Sequence, residues 1–421
     1  MSKLIPLCAG LSTCAILLQI SSAVAAPESS ATPEASPKAA ASIPDEFRDP
    51  DTGARMLHLS KIPNTASGVI YFHQACITPD SRYTLVRYLE PTAGHTAGHM
   101  YRYDFKTGEL TKLTDMMTKN QVLFPKSGIM YFTGDNDHSI YATDIHTLKT
   151  RKVATMPEGV SCSGGVTVNV DETLVAGTGT LDKEHENEPV LTTAPNRGKT
   201  FGNTFESHKT NLLLAADIKT GKVTELYRIN TWLGHTQFSP ADPALLMFCH
   251  EGPWNKVDRI WTLRIGDGSQ PQLVHKRTED NEIAGHEFWS TDGSTAWFDH
   301  NFRGTSHKQF LEGKNLSTGK ITQYPVEPQF RSIHYTQSPD GKFFIADGGT
   351  NKEHPEQQGM FILVPEGGKL RAIKLCSMAA NNYATEPNPH LTPDQHWVVF
   401  SATLHGTPQA YAVEMPKEFW R

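Results

Sequence analysis

The sequence predicts an all-β fold: a seven-bladed β-propeller whose last blade is closed by an N-terminal strand. Three observations carry this. Short apolar strands separated by turn residues fill the chain from about residue 55 onward, with no long segment of helical period. One four-strand unit recurs every ~40–50 residues, the sequence signature of a propeller blade. The final copy, ending "AYAVEMPKEFW", shows only three strands, and "DTGARMLHLS" near the start supplies a fourth with its own Thr-Gly turn. Closing the ring in this way removes open sheet edges.

Residues 1–25 read "MSKLIPLCAGLSTCAILLQISSAVA": a basic start at Lys3, an apolar run, then the small residues Ala23-Val24-Ala25. This is the pattern of a secretory signal peptide. It predicts a periplasmic or extracellular protein that has no membrane segment after cleavage. Residues 26–47 are rich in Pro, Ala and Ser and carry no packing pattern, so they read as a linker. The propeller domain is then 48–421, and a monomer is expected.

The repeat begins with a strand entering a Ser/Thr-Pro-Asp-Gly type of turn. An apolar strand follows, then a third strand, an Asp-x-x-Thr-Gly turn and a fourth. Copies start at "ITPDSRYTLVRYL", "FPKSGIMYF", "VNVDETLVAG", "FSPADPALLMF", "WSTDGSTAWF", "QSPDGKFFIADGG" and "LTPDQHWVVF". The third is interrupted by the polar stretch 182–211, of a length usual for a loop covering a site. Four cysteines follow the signal: Cys76, Cys162, Cys249 and Cys376. They are widely spaced in apolar strands, and no disulfide framework is expected.

The formal net charge is −6, and removing residues 1–25 takes one lysine and no acid, giving −7. No basic field for nucleic acid exists. There is no Gly-x-Ser-x-Gly elbow, no phosphate loop and no dinucleotide fingerprint.

The histidines are the chemical signal. The first strand of each blade lines the channel, so residues six or seven before the turn acid should share one end of it. That phase gives His73, His235, His286 and His334, and Asn388 with His390 in the last copy. With 19 histidines in 421 residues, chance puts fewer than one in seven such slots. His250 and Glu251 end the strand beside His235. Clustered imidazoles with carboxylates serve as metal ligands or general bases.

"TWLGHTQFSP", "FCHEGPWN", "GHEFWSTDGS", "IHYTQSPDGK" and "EPNPHLTPD" together resemble the oligogalacturonate lyases, seven-bladed propellers of the pectin pathway, over roughly residues 50–418. The resemblance implies β-elimination of oligogalacturonides, with His235 as the proton-abstracting base and His286 as a ligand to a divalent ion, usually manganese. The family's further ligands lie in a His-Pro-His block. Here that place holds Asn388-Pro389-His390, or Glu386-Pro387-Asn388 if slid by two residues. The implied metal set is therefore His286, Asn388, His390 and Glu386, for manganese or alternatively calcium. The family's arginine slot, five residues before Asp217, is Leu212. Arg303 and Arg197 are the candidate catalytic cations in its stead. His73, His250, Glu251, His334 and Lys199 are candidates for substrate contact, and the expected partner is an acidic oligosaccharide.

The chemistry is coherent. Elimination removes the weakly acidic C5 proton of a uronide, alpha to a carboxylate. A cation on that carboxylate stabilises the enolate-like transition state, and an imidazole takes the proton. Two other readings stand beside it: an exported, non-catalytic binding propeller, and a lyase for another acidic glycan.

Overall fold

The structure is a computed structural model and describes residues 43–62, 65–89, 97–135, 138–181, 205–206, 209–254, 256–304, 308–348 and 354–421. Apart from the two helical residues 205–206 they are all-β: thirty strands and three short 3-10 turns, Pro328–Phe330, Pro355–Gln357 and Lys417–Phe419. The segments read as signal peptide and linker lie almost wholly outside the described residues. The first strand, Glu46–Arg48, begins inside the stretch read as linker.

The strands pair into six antiparallel sheets. Three are plain four-stranded meanders, beginning at Leu233–Phe238, Glu282–Trp289 and Tyr335–Gln337. The largest, of eight strands, is two meanders in succession joined through the single pair Gly98–Thr118. In the sheet that holds the C-terminus, Arg55–His58 pairs antiparallel with Gln409–Glu414, and Glu46–Arg48 adds a further strand outside it.

The two repeated turns form for local reasons. Thr78, Ser290, Ser338 and Thr392 each donate their hydroxyl to the aspartate two residues on, at 2.6, 2.6, 2.8 and 2.6 Å. This holds the first hairpin closed without any partner from outside. In the second turn Asp217 accepts from the N–H groups of Lys219 (3.0 Å) and Thr220 (2.6 Å). Gly221 follows at φ 73°, where a Cβ would be strained. Asp104 and Asn315 do the same before Gly108 and Gly319.

Core packing runs from sheet to sheet. Phe132, Phe248, Phe298, Phe344 and Phe400 each lie in the second strand of a meander and are almost wholly buried. Burying one such ring contributes about 1.5–3 kcal/mol. Phe400 and Val398 share a cluster with Ile345 and Ile362 of the preceding sheet. Val399 and Ala412 of the same sheet share another with Leu85 and Val86, near the start of the chain. The last sheet is therefore packed against the first. A cavity of about 510 Å³ is lined from seven stretches, within 72–77, 122–126, 167–170, 236–240, 288–291, 335–337 and 390–393. The four cysteines stand as free thiols.

Candidate active site

The first strands carry a feature that strand alternation does not foresee. Gly234 pairs with Cys249 and Gln237 with Met247, so three steps on one strand face two on its neighbour. The same mismatch occurs between Gly285 and Phe288, and between Lys119 and Val122. Each is a β-bulge with one extra residue. Inside the three bulges, Asn120, His235 and His286 have φ of 54°, 51° and 50°, and Asn388 has 49°. This left-handed backbone is costly for a side chain other than glycine or asparagine, and it concentrates at functional sites. The bulge turns His235 and His286 out of simple alternation.

His235 lies between two buried carboxylates. Its Nε2 is 3.0 Å from Glu251 Oε1 and its Nδ1 is 3.2 Å from Glu287 Oε1. Glu251 also accepts from Arg259 Nη1 at 2.9 Å, and Glu251, Arg259 and Glu287 are all almost wholly buried. Gly234 leaves close room for this approach: a Cβ there would sit 3.1 Å from Glu251 Cγ and press on that side chain. Burial lowers the His235 pKa, but the Glu251 and Glu287 charges outweigh it and the net direction is up. Glu287 is held down to about 2: burial raises it, and His235 more than reverses that. Both Glu287 oxygens lack a well-aligned hydrogen bond.

His286 and His334 form the second half. Each has its Nδ1 anchored on a buried aspartate, His286 on Asp299 at 2.7 Å and His334 on Asp347 at 2.8 Å. Asp347 is fixed in turn by the Tyr383 hydroxyl and the Ile333 N–H. The two imidazole rings stand edge to face with centroids 5.0 Å apart. His334 Nε2 is buried without a hydrogen-bond partner and lies 4.0 Å from Glu386 Oε2. Tyr71 joins the halves: its ring centroid is 4.9 Å from His73, 5.2 Å from His235 and 5.5 Å from His334. Burial pushes its phenol far up, so it stays protonated. His73 is pulled down to about 3, by burial first and then by His235.

His73, His235, His286, His334, Glu251 and Glu386 are thus brought together. Other expected residues are placed differently. His250 points away from His235 and stacks on Trp261 (centroids 4.9 Å, 20° between planes) and Tyr227 (6.3 Å, 14°). One step along a strand reverses the face, so Glu251, and not His250, meets His235. Asn388 accepts from the Phe72 N–H at 3.1 Å and donates to the Glu386 carbonyl at 3.1 Å. His390 donates Nε2–H to the Ile70 carbonyl at 3.0 Å, and burial pulls it down to about 4. Both residues bind backbone where metal ligands were expected. Arg303 is exposed and stacks on Trp254 at 4.2 Å from the ring centroid. Arg197 and Lys199 lie outside the described residues. Phe205 and Glu206, near the end of that insertion, pack on the loop that follows Glu251: Lys256 pairs with Glu206 at 2.6 Å, and a Cβ on Gly252 would meet the Phe205 ring at 2.6 Å. Leu212 is buried in Asn211–Asp217, where no cation could be held.

Arg259, Glu287 and Tyr71 escaped the sequence reading. Glu287 follows His286 directly and was legible only as strand filling. The cavity in the core meets this cluster only at its edge. It includes His73, Thr236 and Gln237 and follows the strands toward their turns, whereas His235 and His286 are not among its lining residues.

A family model described as oligogalacturonate lyase matches residues 38–363. An oligogalacturonate lyase of Dickeya dadantii is 25% identical over 395 residues, covering 89% of this chain and 97% of that protein. An oligogalacturonide lyase of Pectobacterium atrosepticum is 24% identical over 392 residues, covering 89% and 96%. A solved oligogalacturonate lyase in complex with manganese superposes with a TM-score of 0.76 at 25% identity, covering 90% of this chain and 97% of that one. Since the family model alone spans well over half of the sequence, the chain belongs to the oligogalacturonate lyase family.

Proposed function

We propose that this protein is a lyase that cleaves oligogalacturonides, fragments of pectin, by β-elimination at the histidine cluster. The observation that carries it is His235: an imidazole on a strained bulge, between Glu251 and Glu287, beside two histidines held by aspartates. His235 Nε2 takes the C5 proton, the C5–H electron pair forms the C4–C5 double bond as the C4–O4 glycosidic bond breaks, and the departing oxygen takes a proton from water. Glu251 divides its oxygens between His235 and Arg259, so when Nε2 turns to substrate the carboxylate keeps a cationic partner. Glu287 on Nδ1 stabilises the imidazolium that forms.

A divalent ion fits the second half of the site. The fit rests on the orphaned Nε2 of His334, on Nδ1 anchors that turn both Nε2 atoms away from the aspartates, and on the Glu386 carboxylate nearby. Carboxylate-anchored imidazoles are the usual support of metal ligands. His286, His334 and Glu386 would hold the ion, a nitrogen and oxygen set that suits manganese, the metal in the related solved structure. Bound there, it would neutralise the uronate carboxylate. Arg303 on Trp254 offers a further cation at the rim.

The scaffold is read as a ring of seven blades, with the eight-stranded sheet counted as two and the strand Arg55–His58 completing the last. Seven stretches lining one cavity, and the last sheet packed on the first, support it. Export to the periplasm or beyond rests on residues 1–25 alone, and N-terminal sequencing of the mature protein tests it.

The activity is tested by ultraviolet absorbance of the unsaturated product, with a panel of oligogalacturonides and other uronides, with and without chelator. Absorbance confined to another uronide would reassign the substrate. None with any uronide would remove the lyase reading.

A further inference from the structure

A second histidine–carboxylate cluster lies apart from the active site, where one sheet meets the next. His275 follows Gln272–Leu273, the last strand of one meander. Glu282, His300 and Glu312 come from the first three strands of the following one, and Gln323 from its fourth. Glu282 and Glu312 are almost wholly buried, His300 is 7% exposed and His275 14%.

The four groups alternate. Glu312 faces the Nδ1 atoms: His300 Nδ1 is 2.8 Å from its Oε2 and His275 Nδ1 is 3.5 Å from its Oε1. Gln323 Nε2 also donates to Glu312 Oε2, at 2.7 Å. Both Nε2 atoms converge on one oxygen, Glu282 Oε1, at 2.6 Å from His275 and 3.0 Å from His300. The other oxygen of Glu282 is fully engaged by the Thr278 N–H (2.6 Å), the Thr278 hydroxyl (2.9 Å) and the Glu279 N–H (3.2 Å).

A neutral imidazole carries one N–H. If Glu312 takes it at Nδ1 on both rings, two Nε2 lone pairs and a carboxylate oxygen face one another; if His275 instead donates Nε2–H to Glu282 at 2.6 Å, its Nδ1 lone pair faces Glu312 and the His300 Nε2 lone pair faces Glu282. Either way buried acceptors converge and need positive charge between them. The two carboxylates supply −2, so one divalent ion balances the cluster. Two extra protons, making both rings imidazolium, would balance it equally. The geometry points to the ion: Glu312 orients both rings as an outer carboxylate does around metal-bound histidine, and Glu282 is pre-set with one oxygen free.

We propose that His275 Nε2, His300 Nε2 and Glu282 Oε1 bind a zinc-type divalent cation, with Glu312 as the anchoring carboxylate, and that this ion staples two adjacent sheets. Zinc takes histidine nitrogen and carboxylate oxygen at about 2.0–2.2 Å in a tetrahedral set, so donor atoms sit about 3.4 Å apart. The Nε2–oxygen spacings therefore open by less than about 1 Å on binding. The three donor atoms already lie within 4.8 Å of one another.

The test uses chelator-stripped full-length protein titrated with zinc, read by calorimetry and by the thermal unfolding midpoint. Wild-type protein should take up zinc at this site and unfold at higher temperature with it. The His286→Ala variant, altered only in the active site, should keep both responses. In that His286→Ala background, which removes the active-site ion from the reading, His275→Ala should lose both, and Glu312→Gln should bind zinc about 10–100-fold more weakly. Should His275→Ala fail to fold, Glu312→Gln still decides, because its rings remain while their anchor is changed. Equal zinc affinity in His286→Ala with and without Glu312→Gln, or zinc uptake abolished by His286→Ala alone, overturns the proposal. So does a wild-type protein that takes up no zinc and loses stability as pH rises through the imidazole range, for then the cluster holds two protons.

Discussion

The two histidine clusters are built from the same residue types and differ in what they leave unfinished. Around His275 and His300 every ring nitrogen faces a carboxylate and the backbone is ordinary. Around His235, His286 and His334 two histidines sit at positive φ, and His334 Nε2, both nitrogens of His73 and both oxygens of Glu287 are buried without hydrogen bonds. Unpaired buried polar atoms and strained backbone each cost free energy. A fold carries them together where a ligand will complete them. Histidine content alone does not mark an active site, and neither does a place for a metal ion; strained backbone together with unpaired buried atoms does.

Four experiments would sharpen or break this contrast. His235→Ala should lower kcat by about 10²–10⁴ in the protein that remains folded, with a lowered unfolding midpoint because Glu287 loses its partner. A folded variant with normal turnover would remove His235 as the base. Glu312→Ala should act on stability alone. It strips the partner from two buried imidazoles and should cost about 3–5 kcal/mol by urea denaturation, with kcat of the folded protein unchanged. An unaltered denaturation midpoint would show the closed cluster to be dispensable.

A smaller effect is expected at Asn388, whose amide joins Phe72 to the Glu386 backbone. Asn388→Ala should cost about 1–3 kcal/mol by leaving those groups unpaired. Metal affinity should be little changed, which titration of the variant with manganese checks. A large loss of affinity would return Asn388 to the ligand set.

The last experiment is a pH profile. The His235 pKa is raised, and a base must be unprotonated, so kcat/KM should climb toward alkaline pH through that raised value. Arg259 works against the raising, so Arg259→Met should move the climbing limb further to alkaline pH. A limb that stays in place would separate Arg259 from the base. Stability follows the same pairs with definite signs. The His235 contribution is complete below its unfolded pKa and fades as pH rises through the folded one. The Glu287 contribution is present above the ordinary carboxylate range and fades as pH falls toward about 2.

Much of this molecule was legible in its sequence, because the features concerned are local. The Ser/Thr-Pro-Asp-Gly and Asp-x-x-Thr-Gly turns close on their own side chains, so their spacing reports the meanders directly. The repeat phase found His73, His235, His286 and His334 for the same reason: each sits six or seven residues before the acid of a local turn.

What the tertiary structure alone decided is which atom of each residue faces which partner. An extra residue in a bulge reverses a side chain that alternation would place, as at His235 and His286. The reverse holds for His250, which simple alternation sends into an aromatic stack. Partners distant in sequence are invisible to spacing: Asn388 meets Phe72 and His390 meets Ile70 across more than 300 residues. Buried charge has no local signature either. Arg259 and Glu287 read as ordinary strand residues until folding removes water from them, and only then does the energy of an unpaired charge dictate where Glu251 and His235 must stand.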